Sequence, residues 1–245
     1  MKADPEAQRR LLDLQSIDTA LAQNAHRRRN LPELAELDRL ARELSALEDE
    51  RIRVQVSVDD IDRDIARLER DIEQVRVRAD KDRTRLDAGT GPAKELEALQ
   101  HELATLGRRQ SELEDAELEL MEQREQVQAT LDAVAQRLEK ARTERSDAEQ
   151  RRDAALGELD HDRDERDGAR APLVDTIPAD LLALYEKIRE STGVGAALLR
   201  AGRCEGCRLE LSGSERSRVK AAAADEVVRC DECRRILVRT AESGL

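Results

Sequence analysis

Two short motifs near the C-terminus, Cys204-Glu-Gly-Cys207 and Cys230-Asp-Glu-Cys233, indicate the fold of the C-terminal part of this chain. They hold all four cysteines of the chain, and 22 residues separate the two pairs. Each C-x-x-C pair can place two thiolates on one metal ion, and two pairs complete a tetrahedral zinc site with Zn–S distances of about 2.3 Å. Because four protein ligands leave no position for an activated water, the motifs predict one structural Zn2+ held by Cys204, Cys207, Cys230 and Cys233.

The residues around these motifs predict a small zinc ribbon over residues 195–245. Short strands are expected at 196–201, 227–230 and 235–239 because these segments are rich in apolar residues. The sequence Ser212-Gly-Ser-Glu215 resembles a capping box and predicts a helix that runs toward Ala224. A module of this size buries too little core to fold alone, so zinc should contribute much of its folding free energy.

The long middle of the chain has the heptad pattern of a coiled coil. From Leu37 to Leu86, apolar residues recur at alternating spacings of three and four, with Arg51 and Asp82 as exceptions. A lone apolar seam of this kind would stay wet, so the pattern requires a partner helix. A second heptad series begins at Leu96 and reaches Ala141 after a short turn at 87–92, in which Gly89 can take the left-handed conformation. Such a short turn forces the two helices to be antiparallel.

The segments that flank the heptads complete the predicted architecture. Residues 4–29 form a first helix with Asp4 as N-cap, and residues 30–32, which include a proline, break it. This helix should pack beside residues 149–168 of the returning arm, where the weakly apolar and highly charged sequence predicts fraying. Pro172 is expected to end the arm. The fold class is therefore mainly α: an antiparallel coiled-coil hairpin (1–172), a connecting helix (173–194) and a small α+β zinc ribbon (195–245).

The composition argues against a compact globule with an aromatic core and against a membrane protein. Charged residues make up 40% of the chain, and Tyr185 is the only aromatic residue. This composition is typical of long helices that bury a narrow seam, and Tyr185 is expected to pack between the connecting helix and the ribbon. Residues 1–194 carry a net charge of −14 and residues 195–245 a net charge of +2. No apolar signal or transmembrane segment is present, and zinc-type cysteines suit a reducing compartment, so we expect a cytoplasmic protein without membrane association.

Three stretches together resemble a known family of bacterial proteins. They are the hairpin turn with 94–100 (KELEALQ), the segment 177–189 (IPADLLALYEKIR) and the second knuckle with its strand, 230–238 (CDECRRILV). The chain resembles proteins that join a coiled-coil hairpin to a C4-type zinc ribbon, some of which are associated with flagellar or type III secretion components, an alternative sigma factor or messenger RNA. The resemblance implies a non-enzymatic adaptor. Arg208 and Arg234 stand where zinc knuckles often have glycine.

Two functions therefore stay open from the sequence. In the first, the hairpin and the zinc ribbon form an adaptor for a protein partner whose identity the sequence does not give. In the second, the ribbon binds DNA or RNA through arginines near the zinc: Arg203, Arg208, Arg234 and Arg235. An enzymatic role is disfavoured because the sequence has no nucleophile elbow or phosphate-binding glycine loop, and no small-molecule substrate is expected. A redox role for the C-x-x-C pairs is disfavoured by their paired, zinc-type spacing.

Overall fold

The computed structural model describes residues 1–245 and divides them into two compact units. We call Ala35–Glu149 the hairpin unit and Met1–Leu34 with Gln150–Leu245 the ribbon unit. The helices are α1 (Pro5–Arg29), α2 (Pro32–Asp87), α3 (Ala93–Val174), α4 (Ala179–Thr192) and α5 (Gly213–Ala221). The strands are β1 (Ala196–Arg200), β2 (Arg203–Cys204), β3 (Val228–Arg229) and β4 (Ile236–Val238), followed by a 3-10 helix at Ala241–Ser243. None of these helices has a stretch that is both apolar and long enough to cross a membrane.

The hairpin unit is the antiparallel coiled coil that the heptads predict. Helix α2 ends at Asp87, and Gly89 takes the expected left-handed conformation with φ of 62°. Residues from both helices form one buried cluster: Leu44, Leu47, Val134, Leu138 and Ala141. Ion pairs across the seam, such as Arg76 with Glu114 at 2.6 Å, join the exposed flanks of the two helices.

The seam is least closed in the middle of the hairpin unit. Helix α3 has no buried residue between Leu113 and Val134. Two polar residues, Glu117 and Arg124, interrupt the heptad in this stretch, and Arg124 Nε lies 2.8 Å from Asp62 Oδ1 on the facing helix. An arginine at a heptad position reaches outward for its carboxylate and adds no apolar side chain to the seam.

A four-stranded sheet with the order β2-β1-β4-β3 forms the centre of the ribbon unit. Strands β1 and β4 are parallel, with Ala196 opposite Ile236, whereas β2 and β3 pair antiparallel with their neighbours. Successive side chains of a strand point to opposite faces, so each face of this sheet has its own apolar core. One core contains Ala196, Ile236 and Val238 with residues of α1, of α4 and of the turn before α4: Ala7, Leu11, Leu14, Ile177, Leu181, Tyr185 and Ile188. The other contains Ala197, Leu199, Val228 and Leu237 with Leu211, Val219, Cys204 and Cys230.

Helix α1 belongs to the ribbon unit, which differs from the predicted domain of residues 1–172. Its predicted contact with the returning arm is confirmed, since Asn24 Nδ2 donates to Leu159 O at 2.8 Å. The sequence did not predict that the apolar face of α1 also covers one face of the sheet. The residues before α1 extend this contact, because Ala3 N donates to Asp225 O at 2.7 Å and Val227 N donates to Met1 O at 3.1 Å.

Two predictions about the end of α3 are wrong. Helix α3 continues through the charged segment 149–168, where fraying was expected, and ends at Val174 rather than at Pro172. Ion pairs such as Arg166 with Asp162 at 2.8 Å hold the charged turns. Proline has a helical φ, and although it removes one backbone hydrogen bond and crowds the carbonyl four residues earlier, Leu173 and Val174 after it pack against the core and hold the last turn in place.

A buried carboxylate, Asp18, joins α1 to α3 and α4. It accepts hydrogen bonds from Tyr185 Oη at 2.6 Å and from Arg170 Nε at 2.8 Å, and Arg189 Nε lies 3.4 Å away. Burial and the hydrogen bond to Asp18 raise the pKa of the Tyr185 phenol, so this phenol remains a donor at any ordinary pH. Tyr185 packs between helix and sheet as predicted, but the sequence did not indicate its partner.

Replacing Asp18 with alanine should destabilise the ribbon unit by about 2 kcal/mol, because the buried Tyr185 hydroxyl loses its acceptor and Arg170 loses one of its two carboxylate partners. The matched control is Tyr185→Phe, which removes one donor and keeps the ion pair, and which should cost about 1 kcal/mol. Urea unfolding followed by circular dichroism measures both variants. Equal midpoint shifts would show that Asp18 contributes no more than one hydrogen bond.

Candidate metal centre

Two turns of the same geometry carry the four cysteines. The first follows β2, where Arg208 N donates to Cys204 O at 2.7 Å, and the second follows β3, where Arg234 N donates to Cys230 O at 2.9 Å. In each turn the first cysteine is buried and the second is partly exposed. Gly206 permits the first turn to pack against β1, since a Cβ there would lie 2.9 Å from the Cβ of Ala197.

The four sulfur atoms converge as a tetrahedral metal site requires. Cys204 Sγ lies 3.8 Å from Cys233 Sγ, Cys207 Sγ lies 3.9 Å from Cys230 Sγ, and all four sulfurs lie within 4.8 Å of one another. With Zn–S distances of about 2.3 Å, a tetrahedron has S···S edges of about 3.8 Å. The cysteines form no disulfide. Four convergent thiols in a closed set are the donors that zinc prefers, so the site is a structural zinc centre with one Zn2+.

The surroundings of the thiols couple metal binding to protons. Burial raises the pKa of the Cys204 thiol, and burial likewise raises the pKa of Cys230 to about 11, although backbone N–H groups of its own turn oppose the shift. Zinc binds the thiolate, so it displaces protons from these sulfurs as it binds. The zinc therefore offsets the cost of burying sulfur in a small core.

The arginines predicted to contact a partner fall into two groups. The side chains of Arg203, Arg208 and Arg234 are exposed and make no hydrogen bond or ion pair within the protein. Arg235 has an internal role instead: its Nη1 donates to Gly206 O at 2.6 Å and its Nε to Val194 O at 3.3 Å. The structure therefore leaves three of the four predicted arginines free to contact a partner.

Arg208 and Arg234 occupy the left-handed region, with φ of 63° and 61°. This conformation costs a residue with a Cβ about 1 kcal/mol, which glycine does not incur. The turns themselves therefore favour glycine at both positions. Neither guanidinium group is required by the geometry of its turn.

Two residues that support the centre were not predicted from the sequence. Glu215 was expected to reach back to the N-cap of its own helix, but its Oε1 accepts from Asp231 N at 2.9 Å and so braces the second cysteine turn. Ser212 does cap the helix as predicted, since its Oγ accepts from Glu215 N at 3.2 Å. The role of Glu215 follows from the burial of its side chain, which the sequence does not show.

The guanidinium of Arg239 closes the other end of α5 by donating to the carbonyls of Val219, Ala222, Ala223, Ala224 and Glu226.

Two parts of the chain each match a known protein family. Residues 14–193 match the CT398-like coiled coil hairpin domain, and residues 203–237 match the C4-type zinc ribbon domain. The chain belongs to the CT398-like coiled-coil hairpin family. Both domains are described by their structure, a helical hairpin and a metal-binding ribbon, in agreement with the fold.

Related proteins share this architecture over nearly their whole length. An uncharacterized protein of Mycobacterium tuberculosis, Rv2229c, is 41% identical over 239 residues, which are 98% of each chain. A solved structure from Mycobacterium smegmatis is 42% identical, with a TM-score of 0.86 over 98% of this chain and 100% of the other. The structure of CT398 from Chlamydia trachomatis is 18% identical, with a TM-score of 0.68 over 95% and 97% of the two chains, and so shows the shared fold alone.

Removing the zinc with a chelator should loosen the ribbon unit and leave the hairpin unit helical. Without zinc, the core that contains Cys204 and Cys230 loses the metal bonds that hold its cysteines. Residues 203–237 should then become sensitive to trypsin, which cleaves after their arginines. Lower pH should ease the removal, because protons compete with zinc for the same sulfurs. Limited proteolysis with mass spectrometry measures the sites, and added zinc should restore protection. Unchanged cleavage of 203–237 after complete metal loss would contradict a folding role for zinc.

Proposed function

We propose that this protein is a non-enzymatic adaptor of the cytoplasm that binds a protein partner through its hairpin unit and presents a zinc-stabilised ribbon unit. One observation carries the proposal: the middle of the hairpin unit exposes apolar side chains. Leu118 is 59% exposed and Met121 is 46% exposed, although both are large apolar residues. They lie three residues apart and so share one face of α3.

The surroundings of this face support a protein partner. It lies in the stretch where α3 buries no residue in the seam. Residues 112–125 contain seven acidic residues and one basic residue. Several of these carboxylates, among them Asp115, Glu119 and Glu122, lie on the exposed surface without an ion pair. An apolar strip with carboxylates on both sides provides burial for affinity and charge for specificity.

The double variant Leu118→Glu with Met121→Glu should reduce recovery of a partner about tenfold, because two carboxylates would have to be desolvated in the interface. Gln126→Glu with Ala129→Glu is the matched control, since it adds two charges at the same spacing on exposed positions of α3. Zinc-loaded tagged protein is cross-linked in cells, and the recovered proteins are quantified by mass spectrometry. Equal recovery with both double variants would reject this face as the partner site.

A second function, nucleic-acid binding by the ribbon unit, is favoured by the three arginines that have no internal partner. Arg203, Arg208 and Arg234 could contact phosphates. The chain has no Phe or Trp, and its single Tyr185 is buried, so bases would have no stacking platform and binding would depend on phosphate contacts and on salt.

If this second function holds, RNA or duplex DNA should bind at low salt, and neutralising Arg203, Arg208 and Arg234 to glutamine should weaken the salt dependence. The slope of log affinity against log salt should fall by about one unit for each phosphate that an arginine no longer neutralises. Fluorescence anisotropy from low to near-physiological salt measures the slope. The control is Arg63→Gln with Arg67→Gln, which removes exposed charges from the hairpin unit. Absence of binding at low salt would leave the adaptor function alone.

A further inference from the structure

A groove runs along α1 in the ribbon unit and has no role in the zinc centre. Two adjoining cavities of about 650 and 340 Å3 form it, and Thr19, Gln23 and Val194 line both. One wall is the outer face of α1 from Leu12 to Arg27, and the other is the segment from Gly193 to Leu198 with the first cysteine turn. We call this feature the α1 groove.

The base of the α1 groove is held rigidly from below. Gln15 is buried, and its Oε1 accepts from Gly195 N at 2.6 Å. Its Nε2 donates to Thr19 Oγ1 at 2.9 Å, which leaves the Thr19 hydroxyl hydrogen free to donate to a ligand. A groove with a fixed base loses little conformational entropy when a ligand enters it.

Several polar groups in the α1 groove have no partner in the protein. Ser16, Gln23 and Arg208 line it, and none of their side chains makes a hydrogen bond or an ion pair. Together with Thr19 they offer hydroxyl, amide and guanidinium donors along one channel. Small residues of the lining, Ala20 and Gly206 among them, leave room for a backbone to approach these donors.

The charges at the α1 groove select an acidic ligand. Arg208 lies toward one end, and Arg27 lines the cavity at the other end. Glu205 is the single acidic residue of the lining. The guanidinium of Arg208 lines the groove without a partner in the protein, so a ligand carboxylate can pair with it.

The length of the α1 groove fits a short extended peptide. The helix rises about 22 Å from Leu12 to Arg27, and an extended chain of about seven residues covers that distance. Leu12, Val194 and Leu198 add apolar surface to the lining. We propose that the α1 groove binds an extended acidic peptide segment of a partner protein, with a carboxylate on Arg208, backbone groups on Ser16, Thr19 and Gln23, and an apolar residue against Leu12.

This inference rests on the adaptor function proposed above and adds a second contact, of defined chemistry, in the other unit. Peptide binding should also depend on zinc, because Gly206 and Arg208 belong to the first cysteine turn and keep their positions only while zinc holds that turn. Nucleic acid fits the groove less well, since its lining has no Phe, Tyr or Trp and offers a base only the imidazole of His26 at one end.

The test uses the full-length zinc-loaded protein and two fluorescein-labelled heptapeptides, Gly-Glu-Leu-Asp-Glu-Leu-Gly and its neutral counterpart Gly-Gln-Leu-Asn-Gln-Leu-Gly. The acidic peptide should bind more tightly, and Arg208→Gly should weaken that binding about tenfold through the loss of a charged hydrogen bond. Arg234→Gly is the matched control: it removes the same group from the same left-handed conformation in the other cysteine turn, outside the α1 groove. Glycine suits both positions, so neither variant should unfold.

The proposal would be overturned by equal binding of the two peptides, by equal loss in both glycine variants, or by binding that survives chelation of zinc. A dimer in light scattering that Arg208→Gly dissociates would assign the groove to a second copy. Displacement of the peptide by RNA, with both arginines contributing, would assign the surface to nucleic acid instead. The Leu118→Glu, Met121→Glu variant should bind the peptide normally. Failure of the α1 groove and failure of the hairpin face are therefore separate outcomes.

Discussion

A small sheet with two apolar faces is the constraint on which the ribbon unit depends. Ile236 and Val238 of β4 point to one side and Leu237 to the other, and all three are fully buried. No strand exceeds five residues, so the sheet cannot exclude water by itself. Each face therefore needs a separate cover, and the chain supplies two different ones.

The zinc centre with α5 covers one face, and α1 with α4 covers the other. The first cover depends on metal bonds, since four cysteines replace the larger apolar core that a segment of this size lacks. The second depends on helices whose positions are set by Asp18, the only carboxylate that contacts both Tyr185 and Arg170. Metal coordination and a buried ion pair thus stabilise opposite sides of the same sheet.

The hairpin unit follows a different rule, because its stability is spread along a seam rather than concentrated in one core. Its seam is closed around Leu44, Leu47 and Leu138 and is open in the stretch where Arg124 lies at the seam. A long two-helix structure tolerates such an interruption, since each turn adds its own small contribution. The open stretch is therefore available to the proposed partner while the rest of the hairpin maintains the fold.

The local and periodic features of this protein could be predicted from its amino-acid sequence alone. Heptad spacing predicted the two hairpin helices, and Asp4 and Pro5 predicted the start of α1. Gly89 predicted the turn, and the paired C-x-x-C motifs predicted the zinc ligands. Each of these features depends on neighbours within about one helical turn or on a known ligand spacing. Four contacts became visible only in the folded protein: α1 covers the sheet, Glu215 braces the second cysteine turn, Arg235 turns inward, and Asp18 is the shared acceptor of α3 and α4. Each of those contacts joins residues far apart in the chain, and a polar residue has the same local pattern whether its partner is water or a distant backbone group.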